Sequence, residues 1–300
     1  MDLDVSVIVP TTGKEPQLFR CLEALLAQTV PLHELLVMLD GESTVESRVP
    51  HDPRVRFLTS TVPGSFCAAV NAGIRVSSAP WVFVVNDDVV LAADFLEQLF
   101  AGLPDDARIG MICGRLRSAD GSRLDSTGQF LRKTWTAQER GYGEREHGQY
   151  AQPGYVPSVC AAAALYRRTM LEAIAEDGHY FDERFGMYLE DLDLGLRAQR
   201  GGWRAYYVPT AIGTHARGAT AKSPPSRWPM LSRYYLPQLP TSLLVRYVLN
   251  RYRLIRKHAH WKRFVLDLPW LAAYELRLWG YLLLCRPSSI VALVRAARQS

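Results

Sequence analysis

Residues 1–225 of this 300-residue chain predict an α/β fold, a mixed, mostly parallel sheet flanked by helices, and residues 226–300 a helical appendage. Three observations carry this. Strand and helix signals alternate through the first hundred residues, the pattern of a parallel sheet. Trp81–Val90, WVFVVNDDVV, runs five apolar residues into Asn86, Asp87 and Asp88, as a strand buried on both faces would. Charge then shifts abruptly: from Arg227 to Ser300 there are 13 Lys+Arg against 2 Asp+Glu, a net of +11, leaving 22 against 28 and a net of −6 for residues 1–226.

Each element has a local warrant. Val5–Val9 is a strand, and Gln17–Gln28 a helix with Leu18, Leu22, Leu25 and Leu26 on one stripe. Glu34–Leu39 is a second strand ending at Asp40-Gly41, and Val55–Thr59 a short third. Phe66–Val76 reads as a helix, followed by the Trp81 strand, a helix over Asp94–Ala101 and a strand over Ile109–Cys113. Between Arg115 and Pro157 periodicity breaks down in a Gly-rich, charged and aromatic stretch, and long irregular insertions in compact domains are usually functional or disordered. Val159–Tyr166 is a strand of small residues, with a helix from Arg168. Phe185–Arg200 carries Leu189, Leu192 and Leu196 at helical spacing and is closed by Gly201-Gly202. Trp203–Val208 is a strand stopped by Pro209.

The bulk composition, 48% hydrophobic and 22% charged, is globular. The acidic body argues against nucleic acid as the main ligand, and the basic tail asks for an anionic partner. The five cysteines are scattered, odd in number and without a C-x-x-C pair, so buried reduced thiols are expected rather than disulfides or a metal site. MDLDVSVIVP has neither a basic nor an apolar leader region, so the expected location is cytoplasmic. The most apolar tail window, Phe264–Leu284, contains Asp267, Pro269, Glu275 and Arg277, which disfavours a transmembrane span. Basic amphipathic helices lying on an anionic membrane surface fit better. The blander alternative is a helical subdomain that packs on the core or forms a homo-oligomer interface.

Five features could do chemistry: Asp40 at the end of the second strand, Asn86-Asp87-Asp88 at the end of the Trp81 strand, the acids Glu190, Asp191 and Asp193 at a helix start, His215, and the irregular 115–157 stretch. Singly, each has a structural explanation. Asp40 before Gly suits a turn, Asp87-Asp88 a cap or solvated turn, and Glu190 and Asp191 a helix N-terminus. Asp193 can pair with Arg197 at i+4, and a lone His215 can be a packed histidine. Their common order changes that weighing. Open α/β sheets bind ligands at the carboxyl ends of their strands, and adjacent acids there need a cation, a partner or solvent; a metal carrying a diphosphate would supply the cation.

That order resembles the family 2 glycosyltransferases, inverting enzymes with the GT-A fold. The opening strand and turn to Thr12, the strand ending at Asp40, and Asn71-Ala-Gly73 leading to Asn86-Asp87-Asp88 match the family's donor half, residues 1–114. In the acceptor half, 115–225, Phe181–Thr220 (FDERFGMYLEDLDLGLRAQRGGWRAYYVPTAIGTHARGAT) is similar to the signatures of the rhamnosyltransferase-like branch, and RGYGEREHGQY resembles that branch's acceptor-side insertion. The resemblance implies a nucleoside diphosphate sugar donor, dTDP-rhamnose first and a UDP-sugar second, and a glycan or lipid-linked glycan acceptor. It implies Asp88 and His215 as ligands of Mn²⁺ or Mg²⁺, with Asn86 and Asp87 near the ribose or the metal's waters. It also implies Asp40 accepting from a uracil or thymine N3–H, Thr11 lining the nucleoside pocket, and Asp191 as general base with Glu190 its runner-up. The enzyme would then sit on the inner face of the cell membrane. Asp40-Gly-Glu-Ser43, Pro63-Gly64 and Thr11-Thr12-Gly13 depart from the family's usual runs, all around the nucleotide. Rival readings are a metal-dependent hydrolase using the same acids and a non-catalytic nucleotide-sugar-binding subunit.

Overall fold

The computed structural model describes residues 3–13, 16–41, 45–49, 51–60, 62–217 and 239–298, so the expected boundary at 225/226 and residues 218–220 of the second motif block lie outside the described residues. The described chain divides into two compact units. The first comprises 1–130, 138–186 and 190–216, and the second 131–137, 187–189 and 217–300.

In the first unit β1 (Val5–Thr11) pairs in parallel with β2 (Glu34–Leu39) and β4 (Trp81–Val85), and β2 with β3 (Val55–Thr59). Every residue of β2 and β4 is buried, as expected for apolar runs covered on both faces. Helix α1 (Gln17–Leu26) buries Leu18, Cys21, Leu22 and Leu25. Helix α2 (Phe66–Val76) is capped by the Ser65 side chain, which accepts from Ala68 N–H, and lies close on β1: a Cβ at Gly73 would meet Ile8 Cγ2 at 2.8 Å.

β5 (Val89–Leu91), α3 (Phe95–Ala101) and β6 (Ile109–Ser118) follow, then the short strands β7 (Leu124–Ser126), β8 (Gln129–Leu131), β9 (Ala137–Glu139) and β10 (Gly154–Val156). The unit closes with β11 (Ala163–Arg167), α4 (Arg168–Ala173), α5 (Glu190–Arg200) and β12 (Arg204–His215). The main sheet runs β10-β12-β6-β11-β4-β1-β2-β3, with β5 on β12 and β7 on β6, while β8 and β9 pair separately. β11 is antiparallel to both β4 and β6, and β12 is parallel to β6. The carboxyl ends of β1, β2, β4, β6 and β12 therefore share one edge of the sheet with the start of β11.

Four local expectations are corrected. The strand from 203 does not stop at Pro209: β12 continues to His215, because register shifts against β6 between Tyr207 and Ile212 absorb the proline's missing N–H. The strand from Ile109 does not end at Cys113, and the 115–157 stretch contains the end of β6 and four three-residue strands too short to show periodicity. The strand expected over 159–166 begins later and runs over Ala163–Arg167. The helix expected from Phe185 begins at Glu190, because Gly186, Tyr188 and Leu189 adopt φ of 64°, 73° and 68°, outside helical space. The expectation of buried thiols holds at Cys21, Cys67 and Cys113 but not at Cys160, which is half-buried, or Cys285, which is exposed; all five are free.

The second unit holds α6 (Thr241–His258), α7 (Trp261–Cys285) and α8 (Pro287–Ala297), packed through Leu244, Val245, Val248, Leu278, Leu282 and Leu293. Asn250 donates to the carbonyls of Met187 and Tyr188, both at 2.8 Å, holding the left-handed backbone there. The fully buried Arg251 donates to Thr134 O at 2.8 Å, stacks on Tyr274 and is neutralised by Glu275. Glu275→Ala leaves that guanidinium buried without its counter-charge. The expected loss is about 2–3 kcal/mol in a urea melt of the full chain, below the value for a fully buried pair because the Glu275 side chain is 30% exposed.

Candidate functional site

The site is assembled at the shared edge of the first unit. At the end of β4, Asn86 N–H donates to Ala162 O at 2.9 Å and Val89 N–H to Asn86 O at 3.2 Å, which closes a turn around Asp87 and Asp88. The two acids then diverge. Thr11 Oγ1 donates to Asp87 Oδ2 at 2.6 Å and itself accepts from Gly13 N–H at 2.9 Å, so Asp87 is tied to the loop after β1. Asp88 Oδ1 lies 3.1 Å from His215 Nε2, and His215 Nδ1 lies 2.8 Å from Asp125 Oδ2. His215 is thus the last residue of β12, opposite Val89 of β5 and Ser118 of β6. Burial alone would lower its pKa, but the hydrogen bonds and charges of Asp125 and Asp88 outweigh that and raise it to about 9.

The donor set suits a divalent cation. Asp88 offers a hard oxygen, and Asp125 fixes the imidazole through Nδ1 and turns Nε2 toward Asp88, the carboxylate–histidine arrangement that orients metal-binding histidines. Asp40 is placed at the end of β2, where its Oδ1 accepts from Gly64 N–H at 2.8 Å and ties β2 to the loop before α2.

The second half stands at the start of α5, whose N-terminal N–H groups favour acids. Asp191 Oδ1 accepts from Leu192 N–H at 2.8 Å, and Oδ2 accepts from Gln129 Nε2 at 2.9 Å and from Ala161 N–H at 3.4 Å. Since Ala162 accepts from Asn86, two consecutive residues link Asp191 to the end of β4. Burial raises the Asp191 pKa, opposed by those hydrogen bonds, that of Gln129 foremost. Gln129 Nε2 also donates to Glu139 Oε1 at 2.9 Å, and Ser126 Oγ to Glu139 Oε2 at 2.5 Å. Glu139, Cys160 and Asp191 offer ligand atoms within 4.8 Å of one another, yet the Gln129 amide bridges the two carboxylates as a donor, in the role a cation would take.

Glu190 is buried beside Asp191, and its charge adds to the burial that pushes the Cys67 thiol of α2 well up. Asp193 pairs with Arg197 at 2.9 Å, the helix-stabilising part expected of it. Asp125, Gln129 and Glu139 carry no local signal of a site: they fall in the stretch without periodicity, set apart only by its position inside an otherwise regular α/β pattern.

Residues 3–231 match the sequence profile of the family described as "Glycosyltransferase like family 2". In an alignment of 250 positions that covers 73% of this chain and 78% of the relative, the chain is 28% identical to the N-acetylglucosaminyl-diphospho-decaprenol L-rhamnosyltransferase of Mycobacterium tuberculosis. It is also 28% identical over 218 residues to an N-acetylglucosaminyltransferase of Bradyrhizobium diazoefficiens; that match covers 69% of this chain and spans less than half of that relative, 44%. Among solved structures it is similar to GalNAc-T7 bound to UDP, GalNAc and Mn²⁺, at TM-score 0.60 and 12% identity, covering 84% of this chain and 47% of that one. It is similar too to the mannosyltransferase PcManGT of Pyrobaculum calidifontis bound to GDP-Man and Mn²⁺, at TM-score 0.52 and 18% identity, covering 97% and 86%. These likenesses bear out the GT-A fold.

Proposed function

The chain belongs to glycosyltransferase family 2, and on that basis we propose that it carries out inverting transfer of rhamnose from dTDP-rhamnose to a hydroxyl of a glycan or lipid-linked glycan acceptor. The observation that carries this reading is the convergence of the Asp88–His215–Asp125 run and of Asp191 on one edge of one sheet. The choice of sugar follows the Mycobacterium relative, whose name specifies a rhamnosyl transfer onto a lipid-linked N-acetylglucosamine. A UDP-sugar is the second reading, favoured by the N-acetylglucosaminyltransferase likeness.

In this reading Asp191 takes the proton of the attacking hydroxyl as the new glycosidic bond forms opposite the departing diphosphate. Its oxygens are held from three sides, so little reorientation is needed. Burial supplies the raised basicity. Thr11 fixes Asp87, leaving Asp87 and Asn86 to face the donor, while Asp40 braces the nucleoside end. A divalent cation, Mn²⁺ or Mg²⁺, held by Asp88 and His215 would supply positive charge to the leaving diphosphate. Asp125, bonded to Nδ1, would hold His215 with Nε2 turned toward Asp88, where the two would share the cation. Asp125→Asn is accordingly expected to weaken Mn²⁺ binding about 10–100-fold, read by the free-Mn²⁺ signal in electron paramagnetic resonance.

The reading is tested by following nucleotide release from dTDP-rhamnose, UDP-N-acetylglucosamine and GDP-mannose with an N-acetylglucosaminyl-diphospho-lipid acceptor and Mn²⁺. Turnover of dTDP-rhamnose with sugar appearing on the lipid is expected. Turnover of the UDP-sugar alone would replace the donor, and release from none of the three would overturn the proposal.

A further inference from the structure

Helix α7 is apolar on both of its sides. Its inward stripe is Asp267, Leu271, Tyr274, Leu278 and Leu282, spaced as one helical face and buried. The opposite face should be polar in a helix that meets water. Instead it presents Val265, Leu266, Leu276, Leu283 and Leu284, the last two at 63% and 86% exposure, with Trp261 at its start. After a 117° bend α8 too exposes apolar side chains, Val291 and Val294. An apolar surface of this extent marks an interaction site.

The charges around it have one sign. Lys262, Arg263 and Arg277 on α7 and Arg295 and Arg298 on α8 are exposed, while the two acids of α7 are engaged: Asp267 faces inward with Arg263, and Glu275 serves Arg251, Tyr252 and Trp279. Among the described residues no single helix is long and apolar enough to cross a membrane; α7 and α8 reach that length and composition only as a pair bent by 117°, and Asp267, Glu275 and Arg277 along α7 disfavour a span. A second copy docking through the same face would bring a segment of net charge +11 against its own like charge, which opposes association. A surface that is apolar below and anionic at the headgroups answers both properties.

We propose that the outward face of α7, continued by α8, lies in the interfacial layer of an anionic bilayer, with the leucines and valines below the headgroups and the arginines and lysines against them. The proposal concerns an attachment surface and stands independently of the sugar transferred.

The test is flotation of the full chain with vesicles of phosphatidylcholine alone or with added phosphatidylglycerol, at low and high salt, beside its mass in solution by light scattering. The expected result is flotation with the anionic vesicles, weakened by salt. The double variant Leu276→Glu, Leu284→Glu should bind at least about tenfold more weakly while keeping its melting temperature and nucleotide affinity. No flotation with anionic vesicles, or flotation unchanged in the double variant, overturns the proposal. A wild-type dimer that the double variant converts to monomer, without vesicle binding in either, assigns the face to a second copy instead.

Discussion

Asp191→Asn is expected to lower turnover by about 10²–10⁴-fold while nucleotide affinity stays within a factor of two or so of wild type. The amide keeps the shape of the carboxylate but cannot take a proton, and the donor-side groups Asp40, Asn86 and Asp87 are untouched. A role limited to capping α5 would move stability and leave turnover nearly intact. The same assignment fixes a pH dependence. The base acts ionised, so kcat/KM rises with pH through its pKa, and burial places that acid limb above the ordinary carboxylate range of about 4. Gln129 donates to Asp191 Oδ2 and favours the ionised form. Gln129→Ala should therefore push the acid limb to still higher pH, with kcat partly recovered in alkaline buffer. A limb unmoved by Gln129→Ala and present in Asp191→Asn would assign the titration to another group.

Asp88→Asn is expected to abolish metal-dependent activity, by about 100-fold or more, because the variant loses the charged oxygen facing His215. Asp87→Asn serves as the comparison. Asp87 is bound to Thr11, and its loss should loosen the turn after β4 and weaken donor binding while Mn²⁺ affinity persists. Equal loss of Mn²⁺ binding in both variants would show that the two acids act as one ligand set. Persistence of Mn²⁺ binding in Asp88→Asn would remove Asp88 from the metal.

Asp40 and Asp88 are readable in the sequence because they follow the mainly apolar runs ELLVML and WVFVV, Asp40 directly and Asp88 after Asn86-Asp87, whereas Thr11 rests on the family resemblance alone. Asp191 was readable because acids favour a helix start and the helix that follows keeps its period. The rest depends on contacts that no local pattern carries. Asp125 and Gln129 sit on three-residue strands, and their partners His215 and Asp191 lie 90 and 62 residues away. His215 looked detached from its strand because Pro209 ordinarily ends one, whereas a shift of register carries β12 past it. Tyr188 and Leu189 misled for the converse reason, since a helical spacing of leucines cannot reveal a left-handed backbone.

Whether Asp88 holds a metal that carries the donor diphosphate is decided by calorimetric titration of dTDP and UDP into the wild-type protein and Asp88→Asn, each with and without Mn²⁺. One of these nucleotides is expected to bind the wild type only with Mn²⁺ and not to bind Asp88→Asn. Nucleotide binding of equal strength without metal, undiminished in Asp88→Asn, would contradict that role for Asp88.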